Sequence, residues 1–104
     1  MSRNTTINGA PFSNELKTKV WEKAAILTGR NPNEYRKDRC GALIRWADYG
    51  DTSKSTGWEI DHIMPKSIGG QDHLINLQPL QWENNRKKSD DFPAFETSYC
   101  IISS

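Results

Sequence analysis

An aspartate followed directly by a histidine, Asp61-His62, closes an apolar run in a chain that has only two histidines. Carboxylate oxygen is the preferred ligand of a hard divalent cation. A neutral imidazole, with an ordinary pKa of about 6.5, is suited to taking a proton from water. The pair therefore has the residue types for hydrolysis assisted by one metal ion. Taken alone, the dipeptide reads more plainly as a structural histidine and a strand-end carboxylate paired with an arginine. Downstream, Gly69-Gly70 mark a loop, and Asn76 opens the run Leu77-Gln78-Pro79-Leu80. Asn85, with Asn84 beside it, then lies in a polar, basic segment. His62 and Asn76 are 14 positions apart, and Asn76 and Asn85 are 9 apart. His73, next to Asp72, reads as a solvated loop residue, or else as a phosphate contact or spare ligand. Arg86, Lys87, Lys88 and, from the basic run at 34–39, Arg39 have the charge to hold a nucleic-acid backbone. The ordinary reading of such runs is a solvated face.

These residues need elements to position them. Ser13 is a good N-cap, and Leu16, Val20, Ala24 and Leu27 recur at helical spacing up to Gly29 and Asn31-Pro32-Asn33. This predicts a bracing helix, with a dimer or DNA-contacting face as the alternative. Ala42–Trp46 and Trp58–Ile63 read as strands, so residues 42–63 are expected to form a hairpin with a long loop. Leu77–Leu80 reads as a further strand, marked by Pro79 as partly an edge. Trp82–Ser89 reads as a helix, with Glu83 in its first turn and Lys87 and Lys88 in its last. Helical spacing places Trp82 and Asn85 on one face, with Trp82 expected to anchor it in the core. Neighbouring residues on a regular strand point to opposite faces, so Asp61 and His62 can serve one phosphate only if the strand ends, bulges or twists there. Glu59 shares the parity of Asp61. Phe92, Phe95, Tyr99 and Ile101 are candidates for a tail that folds back as a cover.

Size and charge narrow the classes. A chain of 104 residues is one domain, with four Trp, three Tyr and three Phe for its core. The net charge of +1, from 14 Lys+Arg against 13 Asp+Glu, is not that of a generically basic nucleic-acid binder, so a phosphate-binding surface must be local. Residues 1–14 lack the apolar region of a signal peptide, and no run reaches the length of a membrane span. Cys40 and Cys100 are isolated, which suits buried thiols in a reducing, cytoplasmic setting; a disulfide is the less expected alternative.

The pattern DHI-x-P-x-S-x-G-G, then N-L-Q-x-L, then N-x-x-K-S-D over residues 57–90 resembles the HNH family of metal-dependent nucleases. The resemblance implies a ββα-metal core, in which two antiparallel strands, a loop and a helix surround one divalent ion. It implies an endonuclease acting on DNA, with His62 as general base and Asp61 and Asn85 as metal ligands. Asn76 would belong to the catalytic signature by bracing the loop that follows the histidine. Asparagine rather than histidine at position 85 favours Mg²⁺ or Mn²⁺ over softer metals. Many relatives carry two C-x-x-C pairs around a structural zinc; this chain has neither, so no structural zinc is expected.

The whole reading is an α+β chain. It has a flexible or loosely docked arm at 1–12 and a single domain at 13–104 whose core is 57–90. DNA is the partner, no membrane is involved, and a protein partner or homodimer is left open. The alternatives are a non-catalytic nucleic-acid-binding module and the nuclease subunit of a larger complex.

Overall fold

A computed structural model describes residues 4–89 and 98–103. Among them are two α-helices and two antiparallel sheets, an α+β arrangement. Helix α1 (Asn14–Trp21) starts where Ser13 accepts the Leu16 amide at 3.1 Å, the expected cap. It stops six residues before Leu27. Lys23 and Ala24 bond back to Val20 and Trp21 in three-residue turns, and the chain enters β1 (Ala25–Ile26). The Arg36 guanidinium explains the early stop. It donates to the Glu22 carbonyl at 3.2 Å and the Ala24 carbonyl at 3.1 Å, and so satisfies groups that continued helix would otherwise bond. Arg36 is thus a buried bracket within a run that reads as a solvated face.

The expected hairpin over 42–63 does not form. The charged run at 34–39, which reads as a solvated face, supplies β2 (Tyr35–Lys37) instead. It pairs on one side with β1 and on the other with β3 (Leu43–Arg45), in register Arg36↔Ile44. A tight turn held by Asp38 joins them, its Oδ1 accepting from the Cys40 and Ala42 amides at 2.9 Å each. Local hydrogen bonding and burial of Arg36 outweigh the polar composition of the run.

Strand β4 (Trp58–His62) pairs with β5 (Leu77–Gln81), in register Ile60↔Pro79 and Asp61↔Gln78. Proline cannot donate to the ladder, and here it does not need to. The opposite Ile60 amide points outward and donates to Asn4 Oδ1 at 2.7 Å, so this is a non-hydrogen-bonded pair. The two faces of the pair differ in chemistry. Trp58 and Ile60 face a core with Val20, Trp21, Ala24, Ile44 and Leu77. The Trp58 ring lies 5.1 Å from that of Trp21 and 4.8 Å from that of Tyr49. Each such aromatic buries roughly 150–250 Å², worth about 4–6 kcal/mol gross at ~25 cal/mol per Å². Glu59 and Asp61 face helix α2 (Trp82–Lys88).

Helix α2 begins directly after β5. The Gln81 side chain caps it, accepting from the amides of Glu83 at 2.8 Å and Asn84 at 3.1 Å. Its buried residues are Asn84, Asn85 and Lys88, all polar. Trp82 is not the core anchor expected of it. It is half-buried, its indole N–H donates to the Lys54 carbonyl at 2.9 Å, and Arg86 lies over its ring.

The described C-terminal segment is tied in. Cys40 and Cys100 form a disulfide with a Cα–Cα distance of 5.3 Å, so the expectation of two thiols is overturned. Sequence separation hid a pair that the fold brings together, and the cysteine argument for a reducing compartment falls with it. Of the expected cover residues, Tyr99 is buried and Ile101 is exposed, while Phe92 and Phe95 lie outside the described residues. No helix among the described residues is long and apolar enough to cross a membrane.

Candidate active site at the strand–helix seam

The seam between β4 and α2 gathers four polar side chains, two from each element. Glu59 and Asp61 share a strand face by their spacing of two, and Asn85 and Lys88 share a helix face by their spacing of three. Asn85 Nδ2 donates to Glu59 Oε1 at 2.9 Å. Lys88 Nζ lies 3.3 Å from Asp61 Oδ1 and 3.2 Å from Oδ2, and donates to the His62 carbonyl at 3.1 Å. From the opposite strand, Gln78 Nε2 donates to Asp61 Oδ2 at 3.0 Å. Asp61 is 6 % exposed and Lys88 only 1 %. Burial pushes the Asp61 carboxyl above its ordinary value; the Lys88 charge, the Gln78 bond and the nearby His62 pull it back down.

A carboxylate only accepts, so Asn85 must turn its amide nitrogen to Glu59 and its oxygen elsewhere. The ligand atoms these side chains could offer an ion are oxygens: the carboxylates of Asp61 and Glu59 and the amide oxygen of Asn85. That chemistry fits a hard divalent ion, and a cationic ammonium already lies against both Asp61 oxygens. Among the described residues no three His, Cys, Asp or Glu side chains form a cage, so an ion here would take its remaining ligands from water and substrate. Neither cysteine is free to hold zinc.

His62 follows Asp61 on the other face. The β4–β5 ladder is regular through His62↔Leu77 and carries no bulge; the strand simply ends there, with a bend at Ile63-Met64. The imidazole packs against the Phe12 ring at 5.9 Å between centroids, and its Nε2 meets Asp72 Oδ1 at 2.8 Å. Asp72 also accepts the Ile7 amide at 3.1 Å on both its oxygens. It drew no attention in the sequence except as a neighbour of His73. A spacing of ten residues across a loop carries no periodic signal.

That loop is built by Asn76 and Gly70. Asn76 Oδ1 accepts the Met64 amide at 2.8 Å, while its Nδ2 donates to the Met64 carbonyl at 3.1 Å and the Gln71 carbonyl at 2.9 Å. One amide thus ties together both sides of the turn that follows His62. Gly69 takes φ +99°, and Gly70 is required for space, since a Cβ there would sit 1.7 Å from the Met64 carbonyl oxygen.

The remaining candidates separate. Lys88 is buried on Asp61, not turned to solvent. Arg86 is 44 % exposed and reaches Glu59 Oε2 at 3.5 Å. Lys87 and His73 are exposed. Arg39 is exposed and lines a cleft of about 340 Å³ with Lys23, Asp38, Ile63 and Gln78, the residue that bonds Asp61. Asn84, the neighbour of Asn85, holds the C-terminal segment: its Oδ1 accepts the amides of Ile101 at 2.9 Å and Ile102 at 2.8 Å.

Comparison with known proteins adds one finding. Residues 50–94 match a family described as HNH endonuclease, a span that contains β4, the loop, β5 and α2. No curated protein and no solved structure matches the chain.

Proposed function

We propose, for a chain that carries HNH endonuclease sequence over residues 50–94, that β4, β5 and α2 form a ββα-metal centre which hydrolyses phosphodiester bonds in DNA. The observation that carries the reading is the arrangement around the end of β4. Asp61 on β4 and Asn85 on α2 line one polar seam, and the residue after Asp61, at the end of the strand, is a histidine whose ring is held by a carboxylate. Asp61 and Asn85 hold a divalent ion, Mg²⁺ or Mn²⁺ by the hardness of the donors. Bound there, such an ion stabilises the charge that develops on the phosphoryl oxygens and the leaving oxygen. His62 takes the proton of the attacking water. The Asp72 carboxylate requires a proton on Nε2, which leaves Nδ1 with the lone pair that accepts it. Asn76 holds the backbone after His62, so the imidazole is aimed by the fold. Exposed Arg86, Lys87, His73 and Arg39 are the side chains offered to steady the strand by charge or hydrogen bonding.

A supercoiled plasmid incubated with the disulfide-intact protein and Mg²⁺, Mn²⁺ or EDTA tests this. Cleavage is expected with metal and not with EDTA. His62→Ala is expected to lower the rate by about 10²–10⁴-fold, the usual contribution of a general base. Absence of cleavage with either metal, while wild type and variant both retard DNA on a gel, would replace the enzyme with a binding module. Cleavage appearing only in a cell extract would make the chain the nuclease subunit of a larger complex.

A further inference from the structure

Lys88 is the least exposed charged side chain in the described residues, at 1 %. Its ammonium has three N–H groups, and the structure gives it three oxygens: Asp61 Oδ1 at 3.3 Å, Asp61 Oδ2 at 3.2 Å and the His62 carbonyl at 3.1 Å. An ammonium spanning both carboxylate oxygens occupies the space that a cation chelated by Asp61 would use. An ammonium and a divalent ion held there together would repel each other strongly in a buried seam, so each weakens the hold of the other. Lys88 is equipped to give way, with four flexible methylenes and a place in the last turn of α2. Gln78 stays on Asp61 Oδ2 in either case, since it approaches from the opposite strand.

We infer that Lys88 competes with the divalent ion for Asp61: its ammonium holds the carboxylate until an ion displaces it, and so sets the ion concentration at which the site loads. The inference rests on Asp61 being the metal ligand of the proposed function, and adds to it a residue that regulates loading. In such a competition the apparent affinity equals the intrinsic affinity multiplied by the fraction of molecules whose Asp61 is free. Removing the competitor therefore tightens binding without adding a ligand.

The test is a titration of Mn²⁺ into the full-length, disulfide-intact protein, with free Mn²⁺ read by electron paramagnetic resonance. Wild type, Lys88→Met and Asp61→Asn are compared. Lys88→Met is expected to bind about tenfold or more tightly than wild type, and Asp61→Asn to lose binding. Equal or weaker binding by folded Lys88→Met overturns the inference, and leaves the metal site of the proposed function standing if Asp61→Asn has lost it. Binding unchanged in Asp61→Asn overturns both. Should Lys88→Met not fold without ion, acylation of wild-type lysines by a water-soluble succinimidyl ester, mapped by peptide mass, decides. The rate at Lys88 is expected to rise several-fold on addition of Mn²⁺ while that at exposed Lys54 stays constant. No change at Lys88 overturns the inference.

Discussion

The Asp72–His62 contact, 2.8 Å between Oδ1 and Nε2, is the residue-scale feature with the most direct chemical effect. It selects the tautomer and orients the ring, as second-sphere carboxylates do for metal-bound imidazoles. Asp72→Ala is expected to lower kcat by about 10–100-fold with KM little changed, by analogy with the loss of such supporting partners. Asp72→Asn, whose amide oxygen still accepts, should recover most of the rate. Steady-state kinetics on an oligonucleotide substrate separate these outcomes, and a fall in KM-dependent binding alone would assign Asp72 to substrate contact. Asp61, His62, Asn76 and Asn85 were legible as candidates because the motif they form resembles that of the HNH family. Asp72 and Lys88 were not, because their importance comes from contacts across ten and twenty-seven positions. Charge suggested that Lys88 faces a phosphate, whereas burial places it on a carboxylate.

At the scale of elements, α2 has the less usual design. Its buried face is Asn84, Asn85 and Lys88, so directional bonds rather than apolar area attach it to the sheet. Asn84 alone takes the amides of Ile101 and Ile102, donates to the Ile102 carbonyl at 3.0 Å and reaches Asp38 Oδ2 at 3.2 Å. Asn84→Ala leaves these buried partners unmet and is expected to destabilise the fold by about 2–4 kcal/mol. Urea denaturation followed by tryptophan fluorescence measures it, and a loss below about 0.5 kcal/mol would mean that the C-terminal segment is held by something else. The helix itself was readable from its polar and basic run, and β5 from the run Leu77–Leu80. The error lay in the strands before them. Composition made residues 34–39 look like solvated surface, yet Arg36 at the centre of β2 is buried through bonds to three carbonyls, those of Pro32, Glu22 and Ala24. Polar groups satisfied by backbone hide a strand from any reading based on hydrophobic alternation.

Across the whole molecule, the Cys40–Cys100 bond closes a loop with a sequence separation of 60. It fastens the C-terminal segment to the turn before β3, while Asn84 fastens the same segment to α2. A loop of this size removes about 4 kcal/mol of chain entropy from the unfolded state in the simplest treatment. Reduction is therefore expected to lower Tm by about 15 °C or more in a chain of this length. Calorimetry with and without reductant, and on Cys40→Ser, tests this; an unchanged Tm would show that packing and the Asn84 bonds suffice. The fold adds a covalent tie that the wide spacing of the two cysteines concealed.

The seam has one further consequence, for how such a chain drifts over evolutionary time. Asp61, Asn85 and Lys88 fasten α2 to β4, and the first two are also the proposed ion ligands, so selection for folding alone would preserve them. A descendant freed from any need to cut would keep that part of the signature. Its substitutions would gather first at exposed Lys87 and His73, then at Asp72, whose loss frees one histidine and one backbone amide. Erosion at position 72 beside an intact Asp61 and Asn85 would then mark a lineage that has retained the architecture after giving up the reaction.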